Sequence, residues 1–308
     1  MPFLHAFSGF YFLLFPLPVS TLLFNLFIEI FNFLMDSNSV PVQLSEIWIY
    51  PVKSLGGIRL TEADVEKRGL QYDRRWMLVD ENAKFITQRT VPKMATINVS
   101  LPANGLLLSP NSDSSNQVLV PFQRISDEPL EVQIWKDSVT AYTVCNEADA
   151  WLSAQLDKSV RIVEMTGSTV RKMNENIAGQ DVTVSFADDF PYLLISEASL
   201  QALNDKLEQP VEMNRFRPNF VVSGTEPFAE DAWKYIQIGT IGFHVASPCE
   251  RCVLTTVDPA TGTKGREPLR TLATFRKDGH RLLFGQNVIG LQTGTVHEGD
   301  RITINELK

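Results

Sequence analysis

Cysteine is scarce in this chain: Cys145, Cys249 and Cys252 are the only three in 308 residues. So small and odd a number excludes a disulfide-stapled secreted scaffold and favours reduced thiols in a cytosol-like compartment. Positive charge is short as well, with 28 Lys and Arg against 36 Asp and Glu and a formal net charge of −8. That balance excludes an extended nucleic-acid footprint, which needs a cationic face, but leaves room for a local basic pocket around one anionic ligand. Glycine-rich phosphate loops, GxSxG elbows and HExxH helices are missing, so the common nucleotide, serine-hydrolase and zincin readings lack their mechanics. No internal repeat or low-complexity run occurs. What is present is an ordinary globular balance, 44% hydrophobic and 21% charged. A chain of 308 residues exceeds one usual core, which predicts two packed units or one with an accessory layer.

The first 34 residues differ from the rest, holding nine of the 19 phenylalanines, no Lys or Arg, and Glu29 as the only formal charge. The segment is long enough for a bilayer span, but Pro16 and Pro18 interrupt it and no Lys or Arg precedes Lys53, so it makes a poor signal peptide. Three readings stand: a membrane anchor, an amphipathic or lid-like addition, or an upstream extension with Met35 as the true start. The expected organisation is a hydrophobic segment over 1–40, a β-rich unit over 41–164 and a second unit over 165–308.

From Val42 the pattern is one of short β-branched and aromatic runs separated by turns at Gly56-Gly57 and Asp80-Glu81-Asn82. Further strands are predicted over 96–101, 105–108, 117–120, 130–134 and 138–142. Asn146 to Leu156 switches to helical spacing, with Asn146 as cap and Glu147 and Asp149 near the positive helix end. Residues 165–190 read as a polar, aperiodic connection that carries function. Ser196 to Leu207 reads as a capped helix, with Leu200, Leu203 and Leu207 at helical spacing. Strands return over 220–223, 235–238, 242–246, 281–284, 294–296 and 301–304. Two β-rich units with few helices predict an α+β, mostly β architecture or a barrel.

Pro248-Cys249-Glu250-Arg251-Cys252 carries the chemistry most worth weighing: two thiols three apart beside a fixed positive charge. A structural zinc site needs four ligands, and His244 is the only nearby supplement. A thioredoxin-type dithiol opens a helix, whereas VLTTVDP, which follows, reads as a strand. Two ordinary buried cysteines are the bland alternative. A single thiolate on a soft metal also needs few protein ligands if an organic cofactor supplies the rest. Lys53-Ser54, Arg74-Arg75, Arg215, Arg217 and Asn219 are scattered basic and polar turn residues, each explicable alone as a solvated charge or a surface ion pair. Asp258 in TTVDP is either a proton relay or the start of an Asp-Pro turn.

Seven motifs in order carry a resemblance: YPVKS (50–54), DRRWMLVD (73–80), FITQR (85–89), SEASL (196–200), NRFRPN (214–219), PCERCVLTTVDP (248–259) and FGQN (284–287). Together they resemble the MOSC family, in the branch of the mitochondrial amidoxime-reducing component and its bacterial counterparts, over roughly residues 42–306. The resemblance implies a MOSC β-barrel domain preceded by a MOSC N-terminal β-barrel region. It implies the molybdenum cofactor (Mo-molybdopterin), with Cys252 rather than Cys249 as the protein's ligand to molybdenum. By motif position, Lys53, Ser54, Arg74, Arg217, Asn219 and Asn287 contact the cofactor; Arg251 is expected to bind it with them, and Cys252 and, as proton relay, Asp258 are the expected catalytic residues. Where the family often presents small hydroxyl residues to the phosphate, this chain has Asp188-Asp189-Phe190, which shifts that contact to backbone N–H groups near the start of the 196–207 helix.

The activity implied is two-electron reduction of N-hydroxylated compounds, namely amidoximes, hydroxylamines and N-hydroxylated base analogues. No plant-type iron–sulfur cysteine cluster is present, so a separate ferredoxin-, flavodoxin- or cytochrome b5-like donor is implied. The pyridoxal-phosphate-dependent domain of the cofactor sulfurases is missing too. Two other classes compete: a cofactor carrier or sulfur-transfer module in which Cys252 turns over no substrate, and a β-rich interaction protein with buried cysteines. The catalytic body is expected in the cytoplasm, membrane-anchored if residues 1–34 are genuine.

Overall fold

Leu44, Ile47 and Ile49 are the buried apolar positions of the strand Gln43–Ile49, and their spacing slips by one between the first two. The slip coincides with a register shift against Phe220–Ser223 between Leu44 and Glu46, so a bulge keeps all three side chains on the inner face. The structure, a computed structural model, describes residues 41–177 and 180–308. The readings made for residues 1–34 lie outside the described residues.

Hydrogen-bonded neighbours in the largest sheet run Ile58–Leu60, Gln43–Ile49, Phe220–Ser223, Tyr192–Ser196, Arg281–Gly290, Ile241–Glu250, Trp233–Ile238 and Ile302–Leu307. The last strand then returns to Gln43–Ile49, because Leu44 N–H donates to the Asp300 carbonyl and Ile302 N–H to that of Val42, both at 2.8 Å. The sheet therefore closes into a barrel and leaves few unpaired edges. Leu44, Leu194, Phe220, Val222, Ile236, Phe243, Val245 and Val288 fill its core. A strand from the N-terminal part of the chain thus completes a barrel made mostly by the C-terminal part.

Tyr192–Ser196 and Phe220–Ser223 pair in parallel, which requires a crossover, and the helix Glu197–Asn204 supplies it. Its cap is the predicted one, with Ser196 Oγ accepting from Ser199 N–H at 3.0 Å, but it ends three residues earlier than predicted. The helix Asn146–Leu156 occupies the predicted residues and buries Ala148, Leu152 and Leu156 under the smaller sheets. Cys145, not Asn146, stands at its cap position, and no side chain caps it.

Three local readings are corrected. The stretch predicted as an aperiodic connection contains the paired strands Lys172–Ile177 and Gln180–Thr183 and ends just ahead of the barrel strand Tyr192–Ser196. VLTTVDP is not a strand: Val253–Thr256 is a 3-10 turn, in which Thr255 and Thr256 hydroxyls bond back three residues to Cys252 and Val253 carbonyls. The helix Leu269–Phe275, seven residues long, is absent from the sequence reading. The whole remains α+β and mostly β, as predicted. Among the described residues no helix is long and apolar enough to cross a membrane.

Candidate active site

One end of the barrel gathers strand termini around a cavity of about 390 Å³. Lys53 and Ser54 reach it from the turn after the first strand, Arg74 from the turn before Trp76–Val79, Arg217 and Asn219 from just ahead of Phe220. Cys249, Glu250, Arg251 and Cys252 arrive from the end of Ile241–Glu250, and Asn287 from the neighbouring strand. All seven predicted cofactor-contacting residues and Cys252 therefore line the same cavity.

The turns that deliver them are strained. Ser54, Arg74 and Arg217 have φ of 68°, 50° and 58°, the left-handed region that side chains other than glycine avoid. Buried bonds hold them there. Asp73, fully buried, accepts from Tyr50 N–H at 2.8 Å and from Arg74 Nη1 at 2.6 Å. Arg74 Nη1 also donates to Asn219 Oδ1 at 3.2 Å and its Nη2 to the Arg217 carbonyl at 3.1 Å. Arg217 Nη1 donates to the Leu55 carbonyl at 2.6 Å, and Gln88 Nε2 to that of Ser54 at 2.8 Å. The Arg74 and Arg217 guanidiniums lie 4.4 and 4.1 Å from the Tyr50 ring centroid, so one buried phenol ring supports both. Burial, with Arg74 adding to it, pulls Arg217 down to about 10.

A second cluster stands at the thiol. Lys53 Nζ donates to the Phe186 carbonyl at 2.7 Å and pairs with Asp188. Burial pulls Lys53 down to about 8, with Asp188 opposing. Burial works to raise the Asp188 carboxyl, but Lys53 and Arg89 outweigh it and hold it well below the carboxylate range. Arg89 Nη2 donates to Asp188 Oδ2 at 2.8 Å and to Cys252 Sγ at 3.2 Å, while its guanidinium lies 4.9 Å from the Trp135 ring centroid. Arg171, itself buried, donates to the Ser185 and Asp188 carbonyls at 3.1 and 3.2 Å and fixes the loop that presents Asp188.

The two cysteines are not equivalent. Cys252 is exposed at the cavity. Cys249 is partly buried and accepts from Arg251 Nη1 at 2.9 Å, and burial pushes its thiol up against that charge. Arg251 Nη2 in turn donates to the Phe216 carbonyl at 2.7 Å.

Asp258 does not join this group. It borders a neighbouring cavity, where Oδ1 accepts from Ala260 and Thr261 N–H at 2.8 and 3.2 Å and Oδ2 pairs with Arg215 at 3.2 Å. Those bonds make it the first residue of an Asx turn rather than a free proton carrier. The helix start at residue 196 is not available to a phosphate either. Buried Glu230 is already there, accepting from Ser196 N–H at 3.2 Å and Ser199 Oγ at 2.8 Å, so a carboxylate occupies the positive helix end. Arg89, Arg171 and Trp135 were missed by sequence reasoning, and Asp188 was noted there only as a departure from the family's pattern. For Arg89 the signal was at hand, since it closes the FITQR motif.

A metal held by protein side chains alone is not what this cavity offers: among the described residues no three His, Cys, Asp or Glu side chains group to hold an ion. An anionic organic ligand fits better. Five cationic side chains line the cavity (Lys53, Arg74, Arg89, Arg217, Arg251) against three acidic ones (Asp188, Asp189, Glu250). Arg89 Nη1 and Arg217 Nη2 are buried donors with no partner. An exposed soft thiol stands among them, which suits a metal whose remaining ligands come with the anion.

Comparison with known proteins agrees with the geometry. The MOSC N-terminal beta barrel domain matches residues 42–159 and the MOSC domain residues 181–303. Mitochondrial amidoxime-reducing component 1 of Xenopus laevis is 34% identical over 278 residues, covering 84% of this chain and 81% of that protein. The chain belongs to the MOSC family. Two further relatives are mitochondrial amidoxime-reducing component 1 of Homo sapiens, 32% identical over 84% of this chain and 82% of its own length, and component 2 of Rattus norvegicus, 35% identical over 76% and 72%. As a MOSC protein the chain carries the N-terminal beta barrel domain ahead of the MOSC domain.

Proposed function

We propose that this MOSC protein is a molybdenum-cofactor-dependent oxidoreductase that reduces N-hydroxylated compounds. An amidoxime or hydroxylamine takes up two electrons and two protons, its N–O bond breaks, and an amidine or amine leaves with one water. The cofactor, when bound, would supply the two-electron chemistry. Cys252 serves as the protein's ligand to the metal, and Lys53, Ser54, Arg74, Arg217, Asn219, Arg251 and Asn287 hold the pterin and its phosphate by charge-assisted hydrogen bonds. Arg89 and Asp188 orient the thiol side of the cavity. Electrons come from a separate ferredoxin-, flavodoxin- or cytochrome b5-like protein. The observation that supports this reading most is the exposed Cys252 thiol, bonded by Arg89, in a cationic cavity within an acidic protein.

The test is metal analysis of protein made in a host that synthesises the cofactor, with benzamidoxime reduction by a chemical electron donor. Near-stoichiometric molybdenum with turnover is expected. Molybdenum without turnover would favour a cofactor carrier, and absence of molybdenum would overturn the reading.

A further inference from the structure

Trp135 lines this cavity from outside the seven motifs. It is one of two loop residues of a hairpin in which Ile134 pairs with Asp137, and its φ is 53°. Two-residue hairpin loops recruit Gly, Asn or Asp at such positions, and a bulky side chain there is a rare and strained choice. The residue is also 44% exposed, among the few large apolar side chains so placed. Neither feature helps the fold, since a glycine or asparagine would make the same turn without strain.

The surroundings supply what the fold does not explain. Trp135 lines the cavity that holds Cys252. Its Nε1 donates to Asp188 Oδ1 at 3.2 Å, and the Phe85 ring packs at 5.0 Å, inclined by 58°. Arg89, stacked on the indole at 4.9 Å, reaches Cys252 Sγ at 3.2 Å with the same guanidinium. A hydrogen bond, a ring and a cation thus fix the indole one guanidinium away from the thiol. A rigid aromatic surface beside the reacting end of a cavity favours ligands that bring a flat π-system of their own.

We infer that Trp135 is a specificity residue: it selects N-hydroxylated substrates whose N–OH group is conjugated to a planar ring, such as benzamidoxime or an N-hydroxylated base, over small aliphatic ones. This rests on the reductase reading of the same site. The strained turn is retained because it aims the indole into the cavity.

Trp135→Asn is the informative variant, because asparagine accepts the left-handed conformation and the hairpin keeps its turn. The expected result is a five- to tenfold fall in the ratio of kcat/KM for benzamidoxime to that for acetamidoxime, about the size of one lost aromatic pair. Trp135→Phe, which keeps a ring, holds the ratio within about twofold. Titration calorimetry of the cofactor-loaded protein with both amidoximes and no electron donor separates this inference from the reaction itself. Tighter binding of benzamidoxime to the wild type, abolished in Trp135→Asn, supports the assignment even if no turnover follows, a case in which only the reductase reading falls. An unchanged ratio in Trp135→Asn, or equal binding of both amidoximes to the wild type, overturns it.

Discussion

Arg89 and Cys252 meet through a single nitrogen: Nη2 lies 3.2 Å from Sγ and also 2.8 Å from Asp188 Oδ2. The carboxylate fixes the guanidinium, and the guanidinium fixes the sulfur. Lys53 completes the chain by pairing with Asp188 from the other side. Three residues from three separate segments of chain therefore set where an exposed thiol points, and an orphan Nη1 on the same arginine keeps one donor for a bound ligand.

Arg89→Met removes the charge, both bonds and the guanidinium that lies over Trp135. Molybdenum content in protein from a cofactor-producing host is expected to fall below half that of the wild type, with the melting temperature within a few degrees of it. Metal content equal to that of the wild type would mean that the Arg89 bond to sulfur contributes nothing to cofactor retention.

Asp73 tests the other half of the cavity. It is fully buried and its two oxygens hold Tyr50 N–H and the Arg74 guanidinium, whose side chain is 13% exposed. Asp73→Ala strands a backbone donor and a nearly buried cation, a change that costs about 3–5 kcal/mol. The urea midpoint should drop accordingly. A loss under 1 kcal/mol would show that water replaces the carboxylate and that the Arg74 turn needs no internal partner.

Lys53 gives a pH signature, since burial brings it down to about 8 from an ordinary 10.5. Below pH 8 folded and unfolded chains both carry the proton, and the cost of burying the ammonium is fully present. Between about 8 and 10.5 the folded chain sheds it while the unfolded chain keeps it, so the stability of the cofactor-free protein rises with pH across that window. An anionic cofactor prefers the protonated lysine, so its affinity falls over the same range. Urea midpoints at pH 7.5 and 9.5 check this against Lys53→Met, which should lack the lysine's share of the rise. The same pH slope in both proteins would sink the assignment.

How much of this was legible in the sequence depends on the range of the interactions involved. Ile97–Ser100 follows local alternation, Phe220–Ser223 is a short apolar run and Asn146–Leu156 follows local helical spacing, so all three were readable. Barrel closure was not, because it rests on bonds between residues about 260 positions apart, Leu44 to Asp300 and Ile302 to Val42. Val253–Thr256 has strand-like composition but folds back through its two threonine hydroxyls, a choice that composition does not register. The site shows the same division. Its residues were named by motif, but Asp188 acquires meaning only when Lys53 and Arg89 arrive from 135 and 99 residues away. Asp258 was the converse: a titratable residue in a functional motif whose oxygens are taken up by its own turn and by Arg215.

The two cysteines provide the sharpest discrimination. Cys249 is partly buried and engaged by Arg251 at 2.9 Å; burial pushes its thiol up against that charge, and the sulfur is occupied within the wall. Cys252, three residues on, is exposed to the cavity and bonded by Arg89. A metal ligand needs a sulfur lone pair open to the ligand space, which the exposed Cys252 offers and the engaged Cys249 does not. Cys252→Ser should therefore lose molybdenum and activity while keeping the melting temperature, because a hydroxyl is a poor substitute for a soft thiolate and the side chain packs against little. Cys249→Ser should retain most of the metal and lose modest stability through the altered Arg251 contact. Metal analysis of the two variants side by side decides the matter, and the reverse pattern would move the ligand to Cys249 and leave the Arg89 bond without a catalytic purpose.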